Sequence, residues 1–257
     1  MSPAAGPDLR PGEHRFVTRR DGVESRHSFS FGSHYDPGNT SFGLLLASND
    51  EVLGPGAVFA PHPHRHVEIV TWVVSGELTH QTGSGDRHAV PPGGAQLSGA
   101  GAGLEHAESN VSESVPVHLV QMWVAPDQRY DESTDRCADF SAELGAGRLV
   151  PVASGRGHDG ALRLRQRAAV LYAARLTPAA TVQLPAAPWV HLYVAQGGAV
   201  MEDAGRLGAG DAVRLTDSPA LQLEAGDRGA EVLVWEMHAA PDRSGQPAFA
   251  PPASVSS

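Results

Sequence analysis

Lysine is missing altogether: all 19 basic residues of this 257-residue chain are arginine. That excludes Schiff-base catalysis and a phosphate-binding loop ending in lysine. Cysteine is nearly missing as well. With Cys137 alone, no intrachain disulfide can form, which agrees with a reducing compartment, and the cytoplasm is the expected location. No apolar run approaches the roughly 20 residues a membrane helix needs, so no membrane association is expected. The first residues, MSPAAGPDLRPGEHR, lack an apolar stretch behind a basic start, so no leader peptide is expected. A net charge of −10 argues against a nucleic-acid surface, which needs a basic patch. Twenty prolines and 29 glycines leave little room for long helices.

What is present is strand. The hydrophobic fraction of 41% supplies an ample core. Short β-rich runs recur at Phe42–Ala47, Glu68–Val74, His118–Val124, Ala168–Leu176, Val190–Val194, Ala212–Leu215 and Val232–Met237. Gly, Pro, Asp and Ser clusters separate them, the rhythm of an all-β sandwich or barrel. One helix is expected over Ser133–Leu144, with Ser133 or Thr134 as its cap. A polar, turn-rich stretch near residues 125–160 marks a boundary between two β-domains. Similar turns, VPPGGAQL at Val90–Leu97 and LGAGDAVRL at Leu207–Leu215, suggest an old duplication. The Pro/Ala/Ser-rich stretch from Pro241 to Ser257 reads as a disordered tail.

Histidine breaks the symmetry between the halves. Seven of thirteen histidines lie between His62 and His118, whereas the second half has only His158, His191 and His238. His62 and His64, two apart on a strand, share a face. Forty-two residues after His64, GAGLEHAESN offers His106 and Glu108, again two apart. Two such pairs on neighbouring strands can converge on one point. Three imidazoles and a carboxylate make a mixed N/O site with two octahedral positions left open, and they contain the two-His-one-carboxylate face of non-haem iron. A lone His-x-His is common and seldom binds metal; the second matched pair gives this one its weight. Strict alternation would also turn His66 and Glu68 inward, unless a turn or bulge follows His64. His80 and His118 read equally as supporting donors or ordinary strand histidines, and His88 as a solvated turn residue.

The segment Gly56-AVFAP-His62-Pro-His64, followed by Glu68 and Gly76, resembles the first cupin motif. Gly103-LE-His106-AES-Asn110 resembles the end of the second. More narrowly, HSFSFGSHYDP at His27–Pro37, NDEVLGPGAVFAPHPHRHVEIVTWVVSGELTH at Asn49–His80 and HLVQMWV at His118–Val124 resemble the pirin family. The resemblance implies a bicupin, two tandem jelly-roll-like β-barrels: an N-terminal metal-binding domain over residues 1–130, a linker over 131–160 and a degenerate domain over 161–240. It implies one divalent metal per chain, Fe(II) by preference, held by His62, His64, His106 and Glu108. Cupin spacing places the usual glutamate ligand at Ile69, so Glu68 is one residue off and on the wrong face of a strand. In pirins the carboxylate instead follows the third histidine by two residues, at Glu108.

The family also carries the functional expectations. Some pirins are quercetinase-type flavonol dioxygenases, which implies a small-molecule substrate and makes Glu108 both ligand and general base. Others are regulators whose iron acts as a redox switch on a protein-binding surface, which implies a protein partner instead. A purely structural metal is the third reading, opposed by the open coordination expected here. The chain departs from the usual pirin pattern at Gly94, at Ala102 and at Gln81-Thr82-Gly83. Those departures bear on substrate preference rather than on the ligands.

Overall fold

The computed structural model describes residues 6–240; the tail expected from Pro241 lies outside them. In chain order the strands are β1 (Asp8–Arg10), β2 (Phe16–Arg20), β3 (Val23–His27), β4 (Leu45–Leu53), β5 (Val58–His64), β6 (Glu68–Ser75), β7 (Leu78–Thr82), β8 (Arg87–Val90), β9 (Gly94–Gly99), β10 (Leu104–Ser109), β11 (Val117–Val124) and β12 (Thr134–Asp139). A one-turn helix, α1 (Ser141–Leu144), precedes β13 (Val150–Ser154), β14 (Leu162–Arg163), β15 (Ala169–Leu176), β16 (Thr181–Gln183), β17 (Ala187–Met201), β18 (Gly205–Gly208), β19 (Ala212–Ser218) and β20 (Gln222–Met237). No helix among the described residues is long and apolar enough to cross a membrane.

The chain divides into two compact units. The first is Phe16–Asp139; the second joins Phe140–Ala239 to the residues up to Arg15. The first unit holds a seven-stranded sheet, ordered β12-β9-β6-β11-β4-β3-β2, and a four-stranded sheet, ordered β5-β10-β7-β8. The second is built on one long sheet, ordered β1-β19-β17-β20-β15-β13-β14, with β16 and β18 paired to β20 and β17.

Three expectations shift here. The boundary between the domains is sharp: β12 finishes the first unit's sheet against β9, and β13 opens the second, so residues 131–160 are not a linker. Asp8–Arg10, expected in the first domain, pairs with Ala212–Arg214 of β19. The helix expected over Ser133–Leu144 is mostly β12, with helix only at its end. Thr, Asp, Cys and Asp are poor helix formers, and a free sheet edge at β9 gives their backbone a full ladder of partners.

In the first unit the large sheet alternates cleanly. On β11, Leu119, Gln121 and Trp123 share one face; Val73, Thr71 and Ile69 of β6 lie opposite them, and Glu51, Asn49 and Ala47 of β4 flank the other side. The apolar members fall into two clusters. Val23, Leu53, Val73 and Leu119 belong to one; Ala47, Ile69 and Trp123 belong to the other. Between them runs a polar rung of His27, Asn49, Gln121, Thr71 and Gln96. Buried polar side chains cost free energy unless each finds a partner, so the rung marks where the fold has given up core for chemistry.

Two turns hold this geometry. Gly76, between β6 and β7, has φ +74, and a Cβ there would meet the Pro116 carbonyl at 2.5 Å. Only glycine takes that conformation against that wall without strain. Asn110, just past β10, donates its amide to the carbonyls of Leu53, Gly54 and Val115 and accepts from the Ser112 amide. It ties the end of the small sheet to the end of β4.

Candidate metal centre

The small sheet brings the histidines together by register. His62 of β5 sits directly across from His106 of β10, and Leu104 from His64. The three imidazoles His62, His64 and His106 each offer a ring nitrogen, all within 4.8 Å of one another. Their ring centroids are 4.6 to 4.9 Å apart. The orientation of His62 follows from its partner. Its Nδ1 lies 2.8 Å from the Ala60 carbonyl, which only accepts, so Nδ1 carries the hydrogen and Nε2 is left as a lone pair. His64 Nε2 and His106 Nε2 are buried without any hydrogen-bond partner. Unsatisfied buried nitrogens on converging rings are what a divalent cation would satisfy, and neutral imidazole suits a borderline transition metal.

The electrostatic surroundings agree with that role. Burial, with His62 adding repulsion, lowers His64 to about 3. Burial first, then His62, His64 and His80, lowers His106 to about 2. Both rings are therefore neutral near pH 7 with lone pairs available.

Glu108 stands beside the cluster rather than within its 4.8 Å circle. It is fully buried and reaches from β10 across to the large sheet. There its Oε1 accepts from Thr71 Oγ1 at 3.2 Å and its Oε2 from Gln121 Nε2 at 2.8 Å. Trp123 Nε1 donates to Gln121 Oε1 at 3.0 Å, which fixes that amide with its NH2 toward Glu108. The register between β10 and β5 slips after His106, so Glu108 faces Phe59 rather than continuing the His62 pairing. Desolvation raises the Glu108 carboxyl above its ordinary range; His80, His62, Thr71 and Gln121 oppose the shift.

The other sequence candidates separate. His66 has φ +54, and its amide bonds the Gly101 carbonyl at 2.9 Å, so a tight turn ends β5 after His64 and takes it off the shared face. Gly101 permits that approach: with φ +51, a Cβ there would lie 2.6 Å from the Asp131 carbonyl. Glu68 is buried on the face of β6 opposite Ile69 and Thr71. His80 is fully buried, paired at 2.6 Å with Asp135, and its ring lies 5.3 Å from His106. His118 alternates to the opposite face from Gln121 and pairs with Asp50 at 3.1 Å.

A cavity of about 720 Å³ opens on this centre. His62, Glu108, Gln121, Trp123, Phe31 and Glu51 all line it. Aromatic rings continue inward from it: Phe31 meets Trp123 edge-on at 5.2 Å, and Trp123 meets His64 at 5.0 Å. Gln121, Thr71 and Glu51 were not singled out from sequence. For Gln121 and Thr71 the available signal was a lone polar residue inside an apolar run, in HLVQMWV and EIVTWVV; Glu51 had none.

Comparison with known proteins places this geometry. A family model described as Pirin matches residues 12–124, and one described as Quercetinase C-terminal cupin domain matches residues 151–237. A Mycobacterium bovis relative, for which quercetin 2,3-dioxygenase is a provisional name, is 49% identical over 233 residues, 90% of this chain and 95% of its own. The quercetin 2,3-dioxygenase of Escherichia coli strain K12 is 30% identical over 230 residues, 89% of this chain and 97% of its own. The bacterial pirin YhhW of Escherichia coli, solved in complex with nickel(II), superposes with a TM-score of 0.81 at 29% identity, over 91% of this chain and 99% of that one.

Proposed function

The chain belongs to the pirin family, and from that premise we propose that it is a metal-dependent dioxygenase acting on a flavonol or a similar enolic small molecule. The observation that carries the proposal is the placement of His62 and Glu108 in the wall of one cavity, with His64 and His106 clustered behind. At about 720 Å³ the cavity is in the size range of small-molecule sites, and its aromatic lining suits a planar ring system.

Its residues divide the work. His62, His64 and His106 would hold one divalent metal as neutral ligands, and Glu108 would complete the set. Fe(II) is the metal we favour; nickel, present in the YhhW complex, accepts the same donors. When bound, such a metal supplies a Lewis-acid centre for an enolic oxygen and a route for electrons to dioxygen. Glu108 takes the enolic proton, because it is a buried carboxylate that shares the cavity wall with His62 and follows His106 by two residues on β10. The donors of Thr71 and Gln121 hold the Glu108 carboxylate in position for that role, whether or not it would also bind the metal. Phe31 and Trp123 give the reacting face an apolar, aromatic wall.

The test is metal analysis of protein purified without added metal, then anaerobic addition of a panel of flavonols to protein loaded with Fe(II) or Ni(II). A shift in flavonol absorbance, bleached on admitting oxygen, is the expected result. Metal-loaded protein that neither perturbs nor consumes any flavonol would overturn the flavonol reading.

A further inference from the structure

The cavity contains a second carboxyl that the scheme above leaves unused. Glu51 lies on β4, is 4% exposed and lines the same wall as Glu108 and Gln121. Its Oε1 accepts from Ser25 Oγ at 3.2 Å, on the neighbouring strand β3. Its Oε2 is buried and has no partner.

The two carboxyls are not equivalent. Glu108 receives a hydrogen bond on each oxygen, an environment suited to the anion. Glu51 receives one on one oxygen, and the groups acting on it are Glu108, Asp50 and Ser25, none of them cationic. The arginines that line the cavity, Arg19 and Arg20, are exposed and paired with Glu24 and Asp21. Burial raises both carboxyls, but Glu108 has two donors and the neighbouring His80 and His62 to favour its anion, whereas Glu51 has one donor and no cation, so of the two Glu51 is the one that keeps its proton. Burial, reinforced by the Glu108 charge, raises Glu51 to about 8, in line with that geometry. A neutral carboxylic acid whose second oxygen lies buried without a partner, on a residue of the cavity wall, is a hydrogen-bond donor awaiting an acceptor.

We infer that Glu51 orients the bound molecule: its free oxygen carries the carboxyl proton and donates it in a hydrogen bond to a carbonyl oxygen adjacent to the enolic hydroxyl. This rests on the enolic-substrate reading above and adds a chemical requirement to it. The ligand must present a hydroxyl and a neighbouring carbonyl, so that Glu108 receives a proton from one oxygen while Glu51 shares its own with the other. Glu51 is an orienting residue here, and no proton leaves it.

The test compares wild type, Glu51→Gln and Glu51→Leu, each loaded with Ni(II) and kept anaerobic. The probes are 3-hydroxyflavone, which has the carbonyl beside its hydroxyl, and 2-naphthol, which has the hydroxyl alone. Glu51→Leu should weaken 3-hydroxyflavone about ten-fold, the loss of one buried hydrogen bond. Glu51→Gln, which keeps an N–H donor at the same position, should stay within about three-fold of wild type, and 2-naphthol should not distinguish the three proteins. Equal affinity of all three for 3-hydroxyflavone, or equal weakening of both probes by Glu51→Leu, would overturn the inference. Infrared difference spectra of Glu51→Gln against wild type at pH 7 decide the protonation independently. A carboxylic-acid carbonyl band lost in the variant supports it; no such band in wild type overturns it. If wild type binds neither probe, the flavonol reading fails, and the infrared result still decides whether Glu51 holds a proton.

Discussion

The two β units fill their interiors in opposite ways. In the second, β17, β19 and β20 contribute Val190, Leu192, Val194, Val213, Leu215, Leu223, Val232 and Val234 to one continuous apolar cluster. In the first, the cluster is cut in two by the polar rung through Asn49, Gln121 and Thr71, and Glu108 reaches across onto it. The contrast teaches where the stability and the chemistry of the chain are kept. A continuous core returns free energy on every buried side chain. A divided one spends part of that on hydrogen-bonded polar groups and gains a cavity with titratable walls.

The sharpest way to break the comparison is at the histidines. Replacing His62, His64 or His106 with Ala should lower metal affinity by orders of magnitude, because each leaves two imidazoles to compete with water. Metal content after dialysis, read by elemental analysis, checks this. The same measurement on wild type should give one metal per chain; a value near two would place a second site in the other unit and erase the asymmetry.

Next in size is a cavity made in the continuous core. Leu192 is fully buried in it, and Leu192→Ala should cost about 2–5 kcal/mol. Chemical denaturation would measure that loss, and metal content should not change. If metal is lost as well, the two units are not energetically separable.

The third prediction concerns pH. The Glu51 carboxyl is raised from 4.5 to about 8 in the folded chain. A raised pKa contributes stability that is fully present below the unfolded value and is lost as pH rises through the folded one. Metal-free wild type should therefore lose stability relative to Glu51→Gln between pH 5 and 8, by about 1 kcal/mol per pH unit. Melting temperatures of the pair across that range give the slope, and a flat difference would mean an ordinary carboxylate.

The smallest expected effect sharpens the assignment of the carboxylate. Glu68→Gln should leave metal content where it was, whereas Glu108→Gln should reduce it. The reverse pattern would put the ligand on β6.

Much of this was legible beforehand, for physical reasons. The β-branched runs at Glu68–Ser75 and Val117–Val124 announce strands, and the spacing His62–His64 with His106–Glu108 announces shared faces. The turn that removes His66 was one of two open alternatives; its positive φ decided it. The Thr134–Asp139 edge strand was hidden, because its pairing is supplied by β9, far away in sequence. Glu51 was hidden for a related reason. Nothing in NDEVL says that its neighbours on the sheet are Ser25 and Leu119, so neither its burial nor its orphaned oxygen could be read from the chain alone.

The placement of Asp8–Arg10 on β19 has a temporal side. This strand leaves the ribosome well before the edge it joins: Ala212–Arg214 emerges roughly 200 residues afterwards, an interval of about 10–40 s at usual elongation rates. Throughout that interval the first unit can close on itself, since all its strands lie between Phe16 and Asp139. Until then Asp8–Arg10, three residues long and charged at Asp8 and Arg10, lacks the edge it pairs with. Asp8–Arg10 thus finds its seat only after the whole of the first unit, which follows it in sequence, has been made.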